Sequence, residues 1–262
     1  MLRAAWSQLT LIDSLGSPSS PLALGALFAA TPATAKPKAA PITLDLPVQS
    51  FTLENGLRVF VVEDHSTPAL ALTLFYDVGA ADEVPGKTGL AHFFEHMMFM
   101  GSETLPRCAV MENTKNAGGD ANAFTTADIT VYLHTIPSNY LDMVLWGEAD
   151  RLGALTMTEE LFEVQRAAVI SEKDRQGNQA FAQIVQRQYV PELTPGSPYT
   201  HEVIGTDEDL AAMNLGDAQR FFDQYYTPQN AIMVLVGDLD FENARARDPL
   251  LQRHPTRFAT TL

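Results

Sequence analysis

The most constraining stretch of this 262-residue chain runs from Gly89 to Met100 and reads Gly-Leu-Ala-His-Phe-Phe-Glu-His-Met-Met-Phe-Met. After Gly89 it holds no glycine or proline, and apolar residues surround its three polar ones, so it predicts a largely buried helix. On that helix His92 and His96 stand one turn apart on one face, with Glu95 beside His96. Two imidazoles on one face can converge on an ion, whereas each unpartnered polar group on an apolar helix costs about 2 kcal/mol or more. The pattern therefore predicts a metal site with a base next to it. A zinc ion held by two imidazoles needs a third protein ligand and keeps a position for water, whose pKa it lowers to about 7. Glu95 is spaced to take that water's proton. The competing reading, a Phe- and Met-rich core helix with satisfied histidines, leaves the clustering of the three polar residues unexplained.

His-x-x-Glu-His is the inverted zinc motif, and the run from Gly89 to Ser102 resembles the pitrilysin and insulinase family of metallopeptidases, to which the mitochondrial processing peptidases also belong. The resemblance implies an α+β fold, a two-layer α/β sandwich whose mixed, mostly antiparallel sheet is covered by helices. It also implies a Zn2+ cofactor and a peptide substrate.

Composition is compatible with this. A hydrophobic content of 46% over 262 residues suffices for one domain with a substantial core. The formal charge of −15 is spread along the chain, which argues against binding nucleic acid through its phosphates. A single cysteine, Cys108, excludes an internal disulfide and a thiolate zinc cluster, so a metal must be held by His and carboxylate.

The chain before residue 48 differs from the rest. An apolar run from Leu22 to Ala30 precedes Ala33-Thr34-Ala35, an A-x-A cleavage pattern. The run is too short to span a membrane. It reads as a secretory signal cleaved after Ala35, followed by a Pro- and Ala-rich linker over 36–47, and it predicts a periplasmic or secreted protein. From Val48 the period is two: a strand through Phe51 and Leu53, a hairpin at Asn55-Gly56 with both residues at positive φ, and a return through Leu57 to Val62. Ala69 to Val78 is nearly all apolar and predicts a strand buried on both faces.

Beyond the zinc helix, a second helix is expected from about Arg107 to Asn116 and a strand from Ile129 to Ile136, with Gly118-Gly119 as a turn. Gly-Gly-x-x-Asn-Ala-x-Thr is similar to the family's strand beside the zinc, which takes the substrate backbone as an added strand. The resemblance implies that Asn122, Ala123 and Phe124 face the peptide, with Asn122 near the scissile carbonyl or the attacking water. Read by itself, the segment is a plain hairpin. Two helices follow, Tyr140 to Leu152 and Met157 to about Arg175, separated around Gly153, with Thr156 and Glu159 as a capping box for the second.

This second helix must carry the third ligand. Spacing leaves Glu159, Glu160, Glu163, Glu172 and Asp174 open, but Leu161, Val164, Ala168, Val169 and Glu172 fall on one broad face, so Glu172 extends an apolar stripe. The resemblance also points to Glu172, within Val-Ile-Ser-Glu-Lys. Seven residues earlier the family commonly has a second glutamate important for activity, and Gln165 stands there instead. His134 in a strand and His201 in a Pro-rich loop are expected to be structural. The helix Asp217 to Tyr226 and the strand Ala231 to Val236 also resemble the family, which the chain matches from about Val48 to Asp240.

The expected layout is a signal peptide (1–35), a linker (36–47), an N-terminal metallopeptidase domain (48–244) and an irregular tail (245–262). Family members continue into a similar second half that supplies donors to the substrate carbonyl, so a partner subunit carrying that half is expected for full activity. The functional expectation is a zinc-dependent endopeptidase acting on short or unfolded peptides, with His92, His96 and Glu172 holding zinc and Glu95 as general base. The rival readings are a weakly active or inactive peptide-binding scaffold, which Gln165 and the single half favour, and a different metal-dependent hydrolase.

Overall fold

The computed structural model describes residues 46–176 and 196–251, with single positions 185 and 192 between them. The expected signal sequence, all but the last two residues of the linker, and the tail beyond Leu251 lie outside the described residues. Six strands form one open sheet: β1 (Gln49–Thr52), β2 (Arg58–Glu63), β3 (Ala69–Tyr76), β4 (Asp120–Thr125), β5 (Thr130–Pro137) and β6 (Ala231–Gly237). Their order is β1-β2-β6-β3-β5-β4. β2 and β6 pair in parallel and the other neighbours antiparallel, giving the mixed, mostly antiparallel sheet expected.

The first hairpin forms at the expected place with different chemistry. Only Gly56 takes a positive φ, of 92°. Asn55 keeps an ordinary backbone, and its side chain accepts from Leu57 N at 3.1 Å and donates to Leu251 O at 3.2 Å. β3 alternates between buried and half-buried positions and is not enclosed on both faces. Leu70, Leu72, Leu74 and Tyr76 point into the core at 2% exposure or less, each Leu contributing about 2 kcal/mol of burial. The opposite face carries Phe60, Val234, Thr73, Leu133 and Asn122 in register, the first four half-buried. Its apolar character explains why the sequence pattern reads as burial on both sides.

The buried face is covered by helices. These are α1 (Leu90–Met97), α2 (Ala109–Asn116), α3 (Leu141–Ala154), α4 (Glu159–Gln176), α5 (Asp207–Ala212), α6 (Leu215–Tyr225), α7 (Phe241–Arg245) and α8 (Asp248–Leu251). α3 runs through Gly153, because Gly147 and Gly153 lie inside a helix that tertiary packing holds. α4 starts two residues later than expected, and Thr158 rather than Thr156 caps it, its Oγ1 accepting from Leu161 N at 3.3 Å. Where an irregular tail is expected after residue 244, α8 forms and Leu251 is buried in the core. Among the described residues no helix is long and apolar enough to cross a membrane.

α1 is wedged between the sheet and the helices. Phe93, Phe94 and Met97 are fully buried. Phe93 meets Phe162 of α4 at 4.8 Å between ring centroids, and Phe94 meets Tyr226 at 4.5 Å and Phe222 of α6 at 5.5 Å. These contacts fix the rotation of α1 and turn its polar stripe toward α4.

Candidate metal centre

The rotation imposed by Phe93 and Phe94 brings His92 and His96 to face the C-terminal half of α4, where Glu172 meets them. One Glu172 oxygen lies 3.3 Å from His96 Nε2 and 3.7 Å from His92 Nε2, and one ligand atom from each residue falls within 4.8 Å of the others. Donors about 2.1 Å from a tetrahedral ion stand about 3.4 Å apart, so this spacing suits a single zinc. The donor set, two imidazole nitrogens and a carboxylate, is also one zinc accepts. Burial holds His92 down to about 4, with His96 acting in the same direction and Glu172 opposing, so its imidazole is neutral at pH 7, the form that ligates. His92 Nδ1 is buried and has no hydrogen-bond partner among the described residues. An acceptor often orients a metal-bound imidazole at that atom. The His92 and His96 rings stand edge to face at 4.9 Å.

Glu95 lies on the same helix, 9% exposed. Its Oε2 accepts from Thr125 Oγ1 of β4 at 2.6 Å. Burial pushes the Glu95 carboxyl up to about 7, against the Thr125 hydrogen bond and with help from Glu172. A carboxyl poised near neutrality can take a proton and return it. Thr125 escapes sequence reasoning because strand register, not spacing, brings it to a residue 30 positions away.

The register also sorts the expected substrate residues. Ala123 pairs with Tyr132 and shares the helix-covered face with Thr125. Asn122 pairs with Leu133 and Phe124 with Val131, and both project from the opposite face, exposed. The structure thus brings Ala123, but not the side chains of Asn122 and Phe124, to the side of α1. The Asn122 amide oxygen accepts from Ala123 N at 2.9 Å. Among the described residues β4 is the last strand of the sheet, and its outer edge borders no other strand.

Among the other candidates for the third ligand, Glu163 pairs with Arg166, and Glu159 and Glu160 lie exposed in the first turn of α4. Gln165 is 4% exposed and donates to Met100 Sδ at 2.9 Å. The buried stripe of α4 is Phe162, Gln165 and Val169, continued by half-buried Glu172, while Val164 is 40% exposed. His134 is structural, as expected: Nε2 meets Glu148 at 2.7 Å, and Arg151 closes the group with hydrogen bonds to both Glu148 oxygens. His201 Nδ1 lies 3.6 Å from Glu83.

The family model described as insulinase (peptidase family M16) matches residues 58–207. The chain is 31% identical over 193 residues to the zinc protease PqqE of Helicobacter pylori, covering 73% of this chain and 44% of that protein. It is 30% identical over 203 residues to the probable zinc protease PqqL of Escherichia coli, covering 74% of this chain and 22% of that protein. The crystal structure of a protease from Helicobacter pylori matches with a TM-score of 0.75 at 30% identity, covering 80% of this chain and 50% of that one. The first half of the periplasmic protease PqqL from Escherichia coli matches with a TM-score of 0.73 at 28% identity, covering 82% and 48%. The chain spans about half the length, or less, of these relatives.

Proposed function

This chain belongs to the insulinase family, peptidase family M16, and from that premise we propose that it is the zinc-binding half of an endopeptidase acting on peptides or unfolded polypeptides. The observation that carries the reading is the convergence of His92, His96 and Glu172 within 4.8 Å, with Glu95 on the same helix. In this reading His92, His96 and Glu172 hold Zn2+, and residues 48–244 form the metallopeptidase domain. Bound there, zinc polarises the peptide carbonyl and acidifies water. Glu95, on the same helix as the two histidines, takes the proton at its carboxylate and delivers it to the leaving amine. Thr125 holds the Glu95 carboxylate in place. The peptide backbone adds to the outer edge of β4, along Asn122, Ala123 and Phe124, with Ala123 on the zinc side and Asn122 freeing the Ala123 N–H to bond the peptide.

Full activity in this reading draws on a second half-domain, in the same polypeptide or a partner subunit. Two observations support it: the matched part of this chain covers half or less of these relatives' length, and the sheet face bearing Phe60, Val234, Phe75 and exposed Val236 is apolar. Preorganised donors at the developing oxyanion are worth about 3 to 4 kcal/mol, and a second half is where this reading finds them. Periplasmic or secreted placement follows from the signal-like N-terminus and agrees with the description of the Escherichia coli relative as periplasmic.

The test is zinc content together with cleavage of a quenched peptide library, for wild type and Glu95→Gln. Zinc in both with cleavage by the wild type alone is expected once the second half is supplied. An absence of zinc from the wild type overturns the site, and strong cleavage by this chain alone overturns the need for a second half.

A further inference from the structure

Both ligand-bearing helices are fastened to one short element. α1 starts after Gly89, which has a left-handed φ of 89° and no side chain, so the helix has no cap of its own. One outside carboxylate takes that role, and a second holds the residue before Gly89. Glu83 accepts from Gly89 N at 2.8 Å and Ala91 N at 2.7 Å. Asp209, on α5, accepts from Thr88 N at 3.0 Å and Thr88 Oγ1 at 2.5 Å. The same element reaches α4: Arg166 Nη1 donates to Ala211 O at 3.3 Å and Met213 O at 3.0 Å, and Lys173, next to Glu172, pairs with Asp207 at 2.6 Å.

We infer that α5 clamps the histidine helix to the glutamate helix, and that Asp209 is a positioning residue whose grip on Thr88 sets the separation of His92 and His96 from Glu172. The inference rests on the zinc reading proposed above. Its physical basis is tolerance: a nitrogen and an oxygen 3.3 Å apart fit one ion, and a slip of about 1 Å between the helices takes one of them out of its coordination shell. The clamp has little slack. A Cβ on Gly205 would stand 2.3 Å from Thr88 O, and one on Gly89 would stand 2.5 Å from Ile204 O, so backbone presses on backbone where the segment before α5 crosses the start of α1. The tie through Lys173 contributes little, because Asp207 is 78% exposed. Thr88, by contrast, is 8% exposed, and Asp209 grips it together with Thr206 N, which donates to Thr88 Oγ1 at 3.2 Å, while Lys87 Nζ donates to Ala212 O at 2.8 Å.

The experiment compares zinc affinity, by competition with a chromophoric chelator, and the visible spectrum of the Co2+ form for the full chain and three variants. Asp209→Ala removes both bonds to Thr88. Asp209→Asn retains an acceptor. Asn55→Ala removes two hydrogen bonds of a buried side chain in the β1–β2 turn, remote from α1 and α4. The expected result is zinc binding weakened about 10-fold or more by Asp209→Ala, with a weaker or shifted Co2+ band, partial rescue in Asp209→Asn, and Asn55→Ala like wild type. If Asp209→Ala does not fold, Arg166→Met, cut at the other end of the clamp, is expected to weaken zinc in the same direction. Unchanged affinity and spectrum in the folded Asp209 or Arg166 variants overturn the clamp while the wild type still binds zinc. A wild type that binds no zinc overturns the zinc reading, and the clamp with it.

Discussion

Replacing Arg151 by Met tests the buried ionic group that packs against Phe99 and Tyr132. Arg151, Glu148 and His134 are each 3% exposed or less. Arg151 bonds both Glu148 oxygens at 2.6–2.9 Å and stacks over the Tyr132 ring at 4.3 Å. Burial pushes the Glu148 carboxyl up, and Arg151 with His134 more than reverses this, bringing it from an ordinary 4.5 to about 2. That difference is worth about 3 kcal/mol, in line with the roughly 3–5 kcal/mol lost when one partner of a buried pair is removed. Because the folded value is depressed, the stabilisation is complete above pH 4.5 and disappears as pH falls through 2. With a urea slope of about 2 kcal/mol/M, Arg151→Met is expected to lower the midpoint at pH 7 by about 1.5 M or more. Pairing it with Glu148→Leu removes the stranded charge and recovers part of the loss. A midpoint shift below about 0.5 M for Arg151→Met would refute the reasoning, since the ion group would then contribute no more than a surface pair.

Three further outcomes are expected. Gln165→Glu puts a carboxyl where only 4% is exposed, costing about 1–3 kcal/mol in urea at pH 7 and less at pH 4, where the carboxyl is protonated; equal costs at both pH values would contradict it. Thr125→Val removes a hydrogen bond that favours the Glu95 carboxylate, so the acid limb of the kcat/KM profile moves to higher pH in whichever assembly cleaves, with zinc content unchanged. Gly205→Ala sets a side chain at a φ of 82° and against Thr88 O, and is expected to lower stability by about 2 kcal/mol or more by thermal or urea unfolding.

Much of this molecule is legible in its sequence because its signals are local. The strands announce themselves by period two and glycine turns, and α1 by a run of apolar residues interrupted by a clustered His-x-x-Glu-His. What the sequence hides is set by neighbours. β3 reads as enclosed because Phe75, Ala71 and Ala69 are apolar, although that face is only half-buried. Register alone puts Thr125 on Glu95 and sends Asn122 to the opposite face. α4 is the instructive case. An apolar stripe drawn through Leu161, Val164 and Ala168 includes a residue 40% exposed and misses Gln165, whose polar side chain is buried against Met100. The buried line runs instead through Phe162, Gln165, Val169 and on to Glu172, at steps of three, four and three. Val169 and Glu172 lie on both lines, so Glu172 is reachable from a stripe that departs from the buried line at Val164. The ring contact of Phe162 with Phe93 explains why the true line faces α1. One aromatic pair sets the phase of both helices, and the position of Glu172 opposite His92 and His96 follows from that phase together with the ties that α5 makes to each helix.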